Sequence, residues 1–127
     1  MCRACVPKRV QKWWRKVPQH KHEKIQFFNH PVNSKQVSDQ LVGLQPSDFV
    51  AVKLDIDHTE TEMEIIKVLE ENAHLIDELF FEYHYYFDGK HFGWGINQHK
   101  KPYHNATSAI SLMTRLRKKG IRSHFWI

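Results

Sequence analysis

Residues Asp48 to Tyr86 read DFVAVKLDIDHTETEMEIIKVLEENAHLIDELFFEYHYY, a pattern of strand, acidic turn, helix and strand that makes one βαβ unit. Phe49 to Ile56 is a short valine-rich run carrying Lys53 and Asp55, and Leu79 to Tyr86 is a run of aromatics interrupted by Glu82 and His84. Both have the length and composition of buried strands. The helical pattern between them crosses over the sheet, and such crossovers are right-handed, so the two strands are predicted to be parallel with their C-terminal ends on one edge.

Alternation along each strand then assigns faces. Phe49, Ala51, Lys53 and Asp55 share one face of the first strand, and Phe80, Glu82, His84 and Tyr86 share one face of the second. Neighbouring strands lie about 4.8 Å apart, which brings Lys53, Asp55, Glu82 and His84 into one cluster. Open α/β sheets bind their ligands at that edge.

The 127 residues make one small domain or a piece of a larger one. At 41% hydrophobic and 26% charged the composition is that of a soluble globular protein. It holds no run near the roughly 18 apolar residues of a membrane span and no secretory core at the N-terminus. The net charge of +5 is unevenly placed: residues 1–24 carry eight Lys/Arg against Glu23 alone, a local +7, which leaves −2 elsewhere. The chain is therefore expected to comprise a basic arm, residues 1–23, and an α/β domain, residues 24–127. Cys2 and Cys5 are too close together to staple a domain, which favours a reducing, cytoplasmic setting. Zinc is not expected, because His20-x-His22 misses the usual spacing.

Around the central unit, Lys24 to Phe28 reads as a strand stopped by Asn29, His30 and Pro31. Ser34 is placed to cap a helix reaching Gly43, with Val37 and Leu41 turned inward. Gln45-Pro46-Ser47-Asp48 is a turn. Thr59 with Glu62, or Thr61 with Glu64, forms a capping box for a helix burying Met63, Ile65, Ile66, Leu69 and Ala73. Phe87 to His104 is a long connection containing His91, His99 and His104. Asn105 or Thr107 then caps a last helix burying Ala109, Ile110, Met113 and Leu116, with Gly120 as its left-handed end and Ile121 to Ile127 as a terminal strand.

Asp55-x-Asp57 presents carboxylates at a strand end, as sites for divalent ions or ligand hydroxyls do. The plainer reading neutralises Asp55 with Lys53 and uses Asp57 to open the turn. Glu82 and His84 weigh more, because an aromatic buried strand carries ionisable groups only where they are paired or used. The chain has no nucleophile elbow, phosphate loop or glycine-rich dinucleotide turn.

Val52-Lys53-Leu54-Asp55-Ile56-Asp57 followed by Glu60, and Leu79-Phe80-Phe81-Glu82-Tyr83-His84 after the helix, resemble the FkbM-type methyltransferases. In that family a Lys, apolar, Asp, x, Glu, Gly, x, Glu segment ends the fourth strand, and Glu-x-His lies in the fifth. Asp57 stands where the family has Glu, and His58 where it has Gly. The closing Leu116 to Trp126 resembles the C-terminus of a divergent eukaryotic branch. The resemblance implies the C-terminal half of a class I methyltransferase: a partial Rossmann-like, mostly parallel sheet of about four strands and three helices, without the family's first strands. It implies Asp55, Asp57, Glu82 and His84 as the catalytic edge facing a small-molecule or glycan acceptor. S-adenosylmethionine (SAM) is the family cofactor, but its glycine-rich half would lie upstream of Lys24, so tight binding is expected only with a complementing chain. Two alternatives stand beside this one: a nucleotide-sugar transferase fragment holding a divalent ion on Asp55 and Asp57, and a binding module that uses its basic arm. Nucleic acid is not the expected partner.

Overall fold

Three short strands, each alternating inward and outward side chains, define the folded part. They are β1 (Ala51–Leu54), β2 (Glu78–Phe81) and β3 (Arg122–Phe125). The computed structural model describes residues 15–26, 28, 30–83 and 105–126. His84, the Phe87 to His104 connection, Cys2, Cys5, Trp13 and Trp14 lie outside the described residues. By its internal contacts the chain divides into two units, Met1–Val32 and Asn33–Ile127.

In the first unit α1 (Gln19–His22) is a single turn following Pro18, and His22 Nε2 donates to the Val17 carbonyl at 2.9 Å. The strand predicted at Lys24 to Phe28 is absent: residues 24–26 and 28 have no regular structure. A short apolar run forms a strand only where a ladder partner takes its backbone groups. Ile25 and Phe28 instead stay exposed.

The second unit is α/β with an open, all-parallel sheet in the order β1-β2-β3, the arrangement of a partial Rossmann-like fold. Ala51, Val52, Lys53 and Leu54 lie opposite Glu78, Leu79, Phe80 and Phe81, which in turn lie opposite Arg122, Ser123, His124 and Phe125. Asp77 binds the strand starts together. Its carboxylate accepts from Val50 N at 2.8 Å, and its carbonyl accepts from Arg122 N at 2.9 Å.

The helices start and stop where local chemistry dictates. For α2 (Ser34–Leu41) the cap is Asn33, not Ser34. Asn33 is extended, its side chain accepts from Gln36 N, and Gln36 returns the bond to Asn33 N, both at 2.9 Å. For α3 (Thr59–Glu71) neither threonine caps; His58 does, accepting from Thr61 N. Ile65, Ile66 and Leu69 form the buried stripe, with Met63 and Ala73 at its margin. For α4 (Ala106–Lys118), Asn105 and Ser108 form the capping box and Gly120, at φ 100°, takes the left-handed turn into β3. Its buried positions are Ala109, Leu112, Met113 and Leu116, while Ile110 is 61% exposed. A residue one step after Ala109 turns about 100° away from the stripe, which therefore takes Leu112 in place of Ile110.

Both crossovers leave their helices on the same side of the sheet. Ser123 Oγ donates to the Met113 carbonyl at 3.2 Å, Tyr83 Oη lies 3.0 Å from Ser108 Oγ, and Arg115 reaches across α4 to Glu70 of α3 at 2.6 Å. Leu54, Leu79, Phe81, Tyr83 and Ile121 are buried beneath these helices. No helix among the described residues is long and apolar enough to cross a membrane.

Candidate functional site

The two C-terminal strand ends of β1 and β2 bring three carboxylates together. Asp55 follows β1 directly and Glu82 follows β2 directly, one row beyond the Leu54 to Phe81 pairing. The Glu82 amide donates to the Leu54 carbonyl at 3.1 Å, which keeps the two chain segments side by side past the last paired row. Asp57 turns back over the same rim. One oxygen from each of Asp55, Asp57 and Glu82 lies within 4.8 Å of the others, with Asp57 exposed and the other two half-buried.

The turn that carries Asp57 has an unusual backbone. Asp57 has φ 55° and is the one non-glycine residue in the left-handed region among those described. Aspartate tolerates that conformation better than most residues, at a cost of about 1 kcal/mol. The restraint comes from Glu62. This side chain is 1% exposed, and its Oε1 accepts the Ile56 amide at 3.1 Å. Glu62 thus folds back from the first turn of α3 onto the loop between Asp55 and Asp57. Sequence reasoning places Glu62 in a helix cap; the structure gives it a different donor, six residues earlier in the chain.

Lys53 does what the plainer reading asks of it. Its ammonium pairs with Asp55 at 2.5 Å, and lies 4.5 Å from the centre of the Trp126 ring. With Lys53 about half exposed, solvent screening holds such a pair to well under 1 kcal/mol. One cation beside three carboxylates leaves the rim acidic.

Of the four residues predicted to form the edge, the structure brings Asp55, Asp57 and Glu82 together, and His84 lies outside the described residues. Sequence reasoning missed two positioning groups, Glu62 and Asp77. An acidic residue just before a buried strand, as Asp77 is, was the available signal. It also missed the face of the sheet turned away from α3 and α4, although the alternation Arg122, His124, Trp126 in the last strand marks it.

The fit to SAM can be tested on the described residues. The glycines among them, Gly43 and Gly120, both end helices, and open space surrounds each. The turn after β1, Asp55 to His58, contains none. The glycine-rich turn that the resemblance implies for SAM is therefore not among the described residues; Gly89, Gly93 and Gly95 lie outside them.

No protein-family model matches the chain, and neither a curated protein nor a solved structure matches it.

Proposed function

We propose that residues 33–127 are the acceptor-side half of a methyltransferase-type α/β fold, in which Asp55, Asp57 and Glu82 bind the hydroxyls of a small-molecule or glycan acceptor. The observation that carries the reading is the convergence of three carboxylates, from two parallel strand ends and the turn after the first, on one rim. Carboxylates so placed accept hydrogen bonds from two or three hydroxyls and orient one for deprotonation. His84, two residues beyond Glu82, is the proposed proton acceptor. On this reading the glycine-rich donor half is supplied by a complementing chain.

A second reading has an observation of its own. Three oxygens within 4.8 Å of one another are also the beginning of a divalent-ion site of a nucleotide-sugar transferase. One calorimetric series separates the two. On the methyltransferase-type reading the 127-residue chain binds SAM no tighter than the millimolar range, and Mn²⁺ does not promote binding of a nucleoside diphosphate. A micromolar SAM constant contradicts the missing donor site. Manganese-dependent nucleotide binding that is lost in Asp57→Asn, a substitution that keeps tolerance of the left-handed backbone, favours the second reading.

A further inference from the structure

The basic arm carries a second pattern besides its charge. Residues 6–17 read VPKRVQKWWRKV. Val6, Val10, Trp13, Trp14 and Val17 follow one another at i, i+4, i+7, i+8 and i+11, the spacing of one helical stripe. At about 100° per residue the five fall within an arc of about 100°. Lys8, Arg9, Lys12, Arg15 and Lys16 fall within an arc of about 120° on the other side of the same wheel, and the stretch holds no Asp or Glu. Pro7 stands where the first turn of such a helix tolerates a proline, and Pro18 follows where the pattern stops. Among the described residues the division already shows: Arg15 and Lys16 are exposed and Val17 is half-buried. Lys21 and Lys24, also exposed, extend the charge beyond Pro18.

The two faces together select the partner. A stripe of valines and paired tryptophans opposite five cations suits a surface that is apolar below and anionic above, and tryptophan favours the boundary between the two. As a helix the twelve residues are about 18 Å long, far short of the roughly 30 Å hydrocarbon core, so the segment lies in the interface plane and does not span. Nucleic acid fits less well: a single strand needs rings and cations within reach of the same backbone, and here the spacing puts Trp13 and Trp14 on the side away from the cations.

We infer that residues 6–17 bind an anionic phospholipid surface as an amphipathic helix, with Val6, Val10, Trp13, Trp14 and Val17 at the acyl boundary and the five cations among the headgroups. The inference is independent of the acceptor reading, because it uses none of the residues of the α/β unit.

The test is cosedimentation of the full chain with vesicles of phosphatidylcholine containing about 30% phosphatidylserine. Binding to these is expected to be at least about tenfold tighter than to phosphatidylcholine alone, and Lys12→Gln with Lys16→Gln is expected to weaken it about 25-fold, about fivefold per cation. The exchange Trp14→Arg with Arg15→Trp keeps composition and net charge but moves a tryptophan onto the cation side; its expected loss is at least about tenfold. Circular dichroism of each variant without lipid, matching the parent, shows that the loss is one of surface and not of fold, and a gain of helix signal on vesicles is expected in the parent alone. Any of four results overturns the inference: no cosedimentation at about 50 mM salt; equal binding to the two kinds of vesicle; equal affinity of the exchange variant and the parent; or an oligouridylate that binds the chain more tightly than the anionic vesicles and displaces it from them.

Discussion

Phe81→Ala lowers the free energy of unfolding by about 3 to 5 kcal/mol, the usual cost of removing a fully buried phenylalanine ring. Phe81 sits in the central strand, 2% exposed, with its ring edge-on to Tyr83 at 5.8 Å. Both neighbouring strands pair with its row, so no edge is free to close the cavity. Small domains are stable by only about 5 to 15 kcal/mol, so this one change removes a large share. The expected melting temperature falls by about 12 °C or more. Ile110→Ala is the control: it shortens an equally apolar but exposed side chain, and its expected effect is within about 0.5 kcal/mol. Urea unfolding of the two variants measures the difference, and equal costs would place the core somewhere other than between α4 and the sheet.

Glu62→Ala has the second largest expected effect, for a different physical reason. It removes the acceptor of the Ile56 amide while leaving that amide partly buried. An orphaned buried donor costs about 1 to 3 kcal/mol. Glu62→Gln keeps an acceptor oxygen at the same reach and is expected to lose less than half as much. The distinguishing readout is hydrogen exchange at the Ile56 amide, which accelerates in Glu62→Ala and stays protected in Glu62→Gln. Unchanged exchange in both variants would mean that the Asp55 to Asp57 turn is held by something other than this carboxylate.

What was legible in the sequence is what local periodicity determines. Valines and aromatics spaced for strands, a helix-length interval between them and the handedness of crossovers suffice to give parallel β1 and β2, and alternation alone puts Asp55 and Glu82 on the same face. The Gly120 turn is equally local and as predicted, and Asn105 is the one of the two expected caps, Asn105 or Thr107, that the helix uses. The errors arise where a residue chooses between partners that sequence spacing cannot rank. Asn33 and His58 took the caps from Ser34 and from Thr59 or Thr61, because the residue with extended backbone just ahead of the first helical turn holds the acceptor in place. Lys24 to Phe28 has strand composition but no partner to complete a ladder. Glu62 looks like an ordinary acid in a first helical turn; only the three-dimensional return of the loop gives it the Ile56 amide. The face turned away from α3 and α4 was hidden for the same reason: Phe80, His124 and Trp126 meet only through strand pairing across 46 residues of sequence, from 80 to 126.

The account rests on two same-direction neighbours of β2 that fix which side chains share a rim and which share the open face. Through-space proton contacts in a nuclear magnetic resonance spectrum of the uniformly labelled chain test that arrangement directly. The parallel register gives cross-strand amide-to-α contacts between the Lys53 and Phe80 rows and between the Phe80 and His124 rows, together with contacts between the Asp55 and Glu82 side-chain protons. Close α-to-α contacts across either pair, the mark of antiparallel strands, or a register shifted by one residue, would separate Asp55 from Glu82 and contradict it.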